Sequence, residues 1–283
     1  MRSATVVCIG EMLWDLLPTG RRAAGSPLHL AAQLHTIGQP VQLLSRVGDD
    51  ELGRELLTYA VELGLSPALV QCSTTHLTGV SKTSVRGGQS IYRIVEPVAW
   101  DYLQYTPEAR TAVSQAGAVV YNSLAARCPV ARETLYRLLS QATYKVFELG
   151  LRPAYYRREV VKYLLRQANL VWLTIAELVE LMGWFGQPAD ETTALPWLAS
   201  HFGFQTICLN KAAAGATLWH AGHLHHATGP ALSDGADGSA EPSPLLALLL
   251  AGLLQGLLPG DALRQACAAR EPRPATALFR EPV

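Results

Sequence analysis

Short apolar runs alternate with longer amphipathic stretches along most of the chain. "TVVCIG" (5–10) is apolar, β-branched and closed by glycine, the pattern of a buried strand. "SPLHLAAQLHTIG" (26–38) opens on Ser-Pro and ends on Gly, which predicts a helix with Ser26 as N-cap and Pro27 at the first helical position. "VQLLSRVG" (41–48) predicts a second strand, and "DDELGRELLTYAVELG" (49–64) a helix with acids in its first turn. "GVSKTSV" and "SIYRIV" (79–85 and 90–95) alternate apolar with polar positions and are split by "RGGQ", so they predict a hairpin.

Beyond "PEARTAVSQAG" the rhythm is strand, helix, strand. "AVVYNS", "YKVFEL", "LVWLT", "QTICLN" and "GATLWH" read as strands. "PVARETLYRLLSQA", "AYYRREVVKYLLRQA", "AELVELMG" and "ETTALPWLASHFG" read as helices, followed by a long apolar helix over 243–257. Such alternation predicts an α/β fold with a mostly parallel sheet between helices, whose ligands sit at the carboxyl ends of the strands. The 79–95 hairpin stands outside the alternation and is read as a small lid.

Composition narrows the function. Of 283 residues, 49% are hydrophobic and 16% charged, enough apolar surface for a large core. Lys+Arg and Asp+Glu both number 23, so no basic face is implied and nucleic acid is not expected as a partner. Five scattered cysteines without a CxxC pair fit a reduced, cytoplasmic chain. The apolar run 245–258 is too short to span a bilayer, so no membrane partner is expected either. Cys8 and Cys208, inside apolar strands, read as inert core thiols, and Trp100 and Trp172 as core or pocket walls. "HAGHLHH" (220–226) offers His220, His223, His225 and His226. Strand alternation lets His223 and His225 converge and turns His226 away, which falls short of a full zinc set, so no metal site is expected.

Several segments resemble one family. "GEMLWD" (10–15), "AGSPLHLAAQLHTIG" (24–38) and "SRVGDDELGRELL" (45–57) are similar to the first third of ribokinase-like, PfkB-type sugar kinases. "YRIVEPVAWDYL" (92–103) and "NSLAAR" (122–127) resemble the fructokinase branch, and "FELGLRP" (147–153) stands where that family has Asp-x-Asn-Leu-Arg. The resemblance implies one ribokinase-like three-layer sandwich over 1–283, with a mostly parallel central sheet and lid segments at about 11–22 and 76–104. It implies ATP-dependent phosphorylation of a sugar, with magnesium. It also implies a homodimer through the lid. Asp15, Gly25, His29, Arg127 and Arg152 fall at substrate-binding positions. Glu177, Lys211 and Gly215 are what remains of the cofactor-binding set.

The same resemblance places the family's Gly-Ala-Gly-Asp motif on Ala240, Glu241, Pro242 and Ser243, in the loop that feeds the 243–257 helix. Glycine-rich loops at helix starts hold phosphate because bare N–H groups converge there. Here the general-base position is Ser243, and Pro242 and Pro244 each lack an N–H. Loss of a general base costs about 10²–10⁴-fold, and each missing oxyanion-type donor roughly another 10²–10³-fold. Ala24 replaces the first glycine of a Gly-Gly pair, and His29 an asparagine. Glu148 and Gly150 replace Asp and Asn, Trp172 and Thr174 replace Lys and Asn, and Ala212 replaces a glycine. The tail "ACAAREPRPATALFREPV" is Pro-rich where the family packs a helix against adenine. The expectation is a catalytically inactive homologue that retains part of the sugar site as sensor, scaffold or partner subunit, with a small sugar as candidate ligand and no cofactor. The alternative is an active fructose kinase using ATP and magnesium with a relocated base, for which Asp237 in "GADG" (235–238) is the candidate under a shifted register.

Overall fold

The computed structural model describes residues 4–17, 20–86, 89–229 and 244–269. In chain order the strands are β1 (Val6–Ile9), β2 (Leu13–Leu17), β3 (Gly20–Ala24), β4 (Val41–Gly48), β5 (Val70–Ser73), β6 (Gly79–Arg86), β7 (Gln89–Ile94), β8 (Ala118–Asn122), β9 (Lys145–Glu148), β10 (Leu170–Thr174), β11 (Thr206–Asn210), β12 (Ala216–His220) and β13 (His223–Ala227). The helices are α1 (Ser26–Thr36), α2 (Glu51–Glu62), α3 (Pro107–Gln115), α4 (Pro129–Leu139), α5 (Arg158–Gln167), α6 (Ile175–Gly183), α7 (Glu191–Phe202), α8 (Pro244–Leu254) and α9 (Pro259–Ala268).

Among the described residues the main sheet has the order β13-β12-β11-β10-β9-β8-β1-β4-β5. It is parallel from β11 through β5, and the β12–β13 hairpin closes one edge antiparallel. Strands buried on both faces read as continuous apolar runs, and β1 shows the consequence. Val6 and Cys8 join a core with α1, α2, α8 and α9, while Val7 and Ile9 join a core with α3–α7. The result is the α/β three-layer arrangement that the alternation predicts, with helices on both faces of a mostly parallel sheet.

A second sheet, ordered β3-β2-β6-β7, stands apart and has its own small core of Leu13, Ile94, Val98, Trp100 and Leu124. The predicted hairpin is therefore outside the main sheet, as the pattern indicates. Its neighbours come from far away in sequence: β2 pairs with β6 in parallel, with Asp15 opposite Ser81.

Two readings are corrected and one helix is added. Gly25, not Ser26, caps α1, because φ +124° there takes the chain out of helical geometry and Ser26 is already in the first turn. Helix α5 starts at Arg158 rather than near Ala154, since 153–155 form a turn with Ala154 at φ +73°. The chain beyond 258 is helical through Ala268, with Pro259 opening α9, where the missing proline N–H costs nothing. Strand β5 had no sequence signal. Pro244 opens α8 as expected; Ser243 lies outside the described residues.

Candidate active site

The carboxyl ends of β1, β8, β9 and β10 converge on one polar group. Glu11 leaves β1 fully buried, and Asn122 ends β8. The Asn122 amide donates to both Glu11 oxygens at 3.1 and 3.0 Å, and the Ser26 N–H adds a third bond at 3.1 Å. Glu148, the last residue of β9, accepts the Ser26 hydroxyl. Ser123 closes the group by donating to the Gly150 carbonyl at 2.7 Å.

Glu177 sits in the first turn of α6. One carboxylate oxygen accepts the Leu151 N–H at 2.8 Å, and the other accepts the Thr174 N–H at 2.8 Å and hydroxyl at 3.0 Å. Thr174 in turn caps the helix through the Glu177 N–H, a reciprocal capping box. Arg152 lies close enough to Glu11, Glu148 and Glu177 to lower the pKa of all three. Burial outweighs it in each case: Glu11 and Glu177 are raised, and Glu148 is pushed up to about 7 by burial, with Glu11 and Glu177 adding to the rise. Glu148 keeps some accessible surface, yet protein atoms crowd its carboxyl end.

Asp15 lies on β2 of the small sheet. It is 2% exposed; one oxygen accepts the Ser81 hydroxyl at 2.9 Å, and Arg22 lies 3.4 Å from the other. Arg22 and Ser81 are its register partners on β3 and β6, so the three side chains share one face. Gly25 is required by the same packing, since a Cβ there would collide with the Glu11 carbonyl oxygen. His29 is half-buried one turn into α1.

The other predicted residues are placed elsewhere. The Arg127 Nε and one Nη hold Asp101 at 2.7 Å each, and the guanidinium stacks 4.5 Å over Trp100. Arg127 thereby fastens the segment after β7 to the turn after β8, and its third bond, to the Val95 carbonyl, does the same. Lys211 lies 3.2 Å from both oxygens of Glu191, which also accepts the Thr217 hydroxyl at 3.0 Å. Gly215 has φ +87°, and a Cβ there would strike the Ala227 carbonyl, so it serves the β12–β13 hairpin. Asp237 and the Ala240–Ser243 motif positions lie outside the described residues. Trp172, at 4% exposed, and Trp100, at 2%, are core residues, and Cys8 and Cys208 are buried thiols pushed up by burial.

In the histidine hairpin, His220 faces His223 in register, and His225 follows on the same face. His226 turns away to Thr217, as the alternation predicts. Among the described residues no group of three or more His, Cys, Asp or Glu could hold a metal ion. None of their helices is long and apolar enough to cross a membrane.

Sequence reading missed Glu11, Ser26, Asn122 and Ser81 as site residues. Glu11 carried one signal: a carboxylate directly after a glycine at the end of an apolar strand, which is where parallel-sheet ligands bind. The other three had none, because their partners are remote in the chain.

The fold has solved counterparts. A fructokinase with bound ATP from Xylella fastidiosa superimposes with a TM-score of 0.77 at 18% identity, covering 94% of this chain and 86% of that one. A Vibrio cholerae O395 fructokinase in a fructose, ADP and calcium ion bound form gives 0.78 at 18% identity, covering 93% and 90%. A sugar kinase from Pyrococcus horikoshii in complex with ATP gives 0.77 at 17%, covering 93% and 89%. No curated protein matches by sequence. The family description "pfkB family carbohydrate kinase" matches residues 4–233. On a match over most of its length and on this fold, the chain belongs to the pfkB family of carbohydrate kinases.

Proposed function

We propose that this chain is a fructokinase-like homologue that does not transfer phosphate and that keeps a small-sugar site between Asp15 and the start of α1. The observation that carries the reading is the start of α8. The general-base position is Ser243, and the helix opens on Pro244, which has no N–H to offer a phosphoryl oxygen.

The remaining cofactor-side residues do not fit ATP and magnesium. Both Glu177 oxygens are taken by its own helix cap and by Leu151. Lys211 is paired with Glu191. Trp172 puts an indole where the family has a lysine. The sugar side keeps a buried carboxylate at Asp15 and the close-packed Gly25 beside Glu11.

A coupled ADP-release assay with fructose and other hexoses tests the reading; the expected result is no turnover. Turnover near about 1 s⁻¹, low in the ordinary enzyme range, overturns it in favour of a relocated base. Loss of that turnover in Asp237→Asn then locates the base. Calorimetry with fructose alone is expected to show binding that Asp15→Asn weakens. Magnesium-ATP is expected to leave the melting temperature unchanged, because a ligand that binds the native state must raise it.

The reading includes a homodimer through the small sheet. It is supported by large apolar side chains left open beside that sheet, Leu77 at 72% and Val95 at 43% exposed. A monomer mass by light scattering at micromolar concentration contradicts it.

A further inference from the structure

Equal totals of acid and base conceal an uneven distribution. Residues 105–170 carry ten of the 23 Lys and Arg and four of the 23 Asp and Glu. The rest of the chain carries 13 and 19, so this stretch is six charges positive and the remainder six negative. Such asymmetry within one chain points to a charged partner. The stretch builds α3, α4 and α5, and it leaves Arg110, Arg137, Arg157, Arg158 and Arg166 exposed. The expectation of no basic face, drawn from the net charge, does not hold for this helical layer.

Along α5 the cations form a row. Arg158, Lys162 and Arg166 follow one another at intervals of four residues, and each rests on a ring from the end of α6 or from α7. The Arg158 guanidinium lies 5.4 Å from the Trp184 ring centre, the Lys162 ammonium 5.3 Å from Phe185 and the Arg166 guanidinium 5.7 Å from Phe202. The rings are themselves packed together, Phe185 at 5.1 Å from Trp197 and 5.9 Å from Phe202.

A ring attracts a cation through its face, so it holds the charge in place without using up its donors. A guanidinium keeps its planar fork of N–H groups for a carboxylate. Among the described residues, Arg158 and Arg166 form no ion pair and no side-chain hydrogen bond. Lys162 has an exposed partner in Glu159, 3.1 Å away with its side chain 83% exposed. Glu180 on α6 is engaged by the Tyr156 hydroxyl.

Spacing selects the partner. Four residues of α-helix advance about 6 Å. Alternate side chains of an extended chain stand about 6.6–6.8 Å apart on one face. We propose that the α5 row is a docking surface for an extended acidic segment of a partner protein, whose carboxylates at alternate positions meet Arg158, Lys162 and Arg166. Nucleic acid fits less well. It is held by open ring faces as well as by charge, and here cations already cover the rings. The negative remainder of the molecule also repels a long polyanion. A membrane surface needs a band of apolar side chains to insert, and the large apolar side chain left open on α5 is Tyr163, at 38%.

The test is fluorescence anisotropy of the full chain with a labelled decapeptide of alternating Thr and Glu at low salt. The control peptide has the same composition with its glutamates in one block. The alternating peptide is expected to bind more tightly than the block, and added salt to weaken it. Arg158→Gln, Lys162→Gln and Arg166→Gln together are expected to lower its affinity roughly tenfold, as the loss of three exposed ion pairs predicts. Arg158→Lys with Arg166→Lys keeps the charge and is expected to keep most of the binding, which separates charge from any loss of packing. Arg54→Gln with Arg264→Gln, on α2 and α9, is expected to leave binding unchanged. No binding at low salt overturns the proposal, as does equal binding of the two peptides or undiminished binding by the triple glutamine variant. Tighter binding of an oligothymidylate of equal charge, or of phosphatidylserine vesicles, also overturns it, in favour of nucleic acid or of a membrane.

Discussion

At the scale of single residues, the most demanding positions are those where backbone or charge has no alternative. Gly25 combines φ +124° with a Cβ position that collides with the Glu11 carbonyl. Gly25→Ala is expected to cost at least the ~1–3 kcal/mol of a strained backbone, read as a lower urea midpoint with an unchanged slope. Arg127 and Asp101 are 4% and 2% exposed and bonded twice. Removing one partner leaves a buried charge uncompensated, so Arg127→Met should cost about 3–5 kcal/mol. The Asp101→Asn, Arg127→Met double variant should cost much less than the sum of the singles. Additive losses would show that the pair is not coupled. Arg127 therefore illustrates how a residue placed by resemblance at a sugar position can also hold the fold, here through its Nε and one Nη.

At the scale of elements, most of the architecture is legible in the apolar pattern of the chain. Strand β4 spans the predicted 41–48, and β10 the predicted 170–174; β10 is apolar up to its last residue, as a strand buried on both faces tends to be, and β4 carries enough apolar residues around Gln42, Ser45 and Arg46 to read as a strand. What stayed hidden was short or disguised. Strand β5 has four residues and no clear alternation. Helix α9 begins with Pro259-Gly260, which reads locally as a turn, although proline suits a first helical position. The site cluster was hidden for a different reason. Glu11 and Asn122 are 111 residues apart, and Ser26 and Glu148 are 122 apart, so only the tertiary fold joins them. Helix α6 supplies an element-level prediction. Thr174→Ala removes its cap and should cost about 0.5–2 kcal/mol. It would also remove one of the two donors on a Glu177 oxygen, which keeps the residue 174 N–H, and magnesium-ATP should still fail to raise the melting temperature. Helix α8 supplies another: Ser243→Asp alone should not restore phosphotransfer, since Pro244 still opens the helix without an N–H. Efficient phosphorylation by that single variant would show that the missing donors matter little.

At the scale of the whole molecule, the main sheet belongs to both helical layers at once. Along β1, β8, β9, β10 and β11, successive side chains enter opposite cores: Val120 and Tyr121, Val146 and Phe147, Trp172 and Leu173, Cys208 and Leu209. Neither core can lose its strands without stripping the other of every second side chain. The two layers are therefore one cooperative unit and cannot melt in sequence. The tryptophans give each layer its own reporter, with Trp14 and Trp172 in one and Trp184, Trp197 and Trp219 beside the other. Selective replacement of either set by phenylalanine should leave fluorescence and far-ultraviolet dichroism melting at one shared temperature. A midpoint that depends on which set remains would divide the molecule into two separately folding halves.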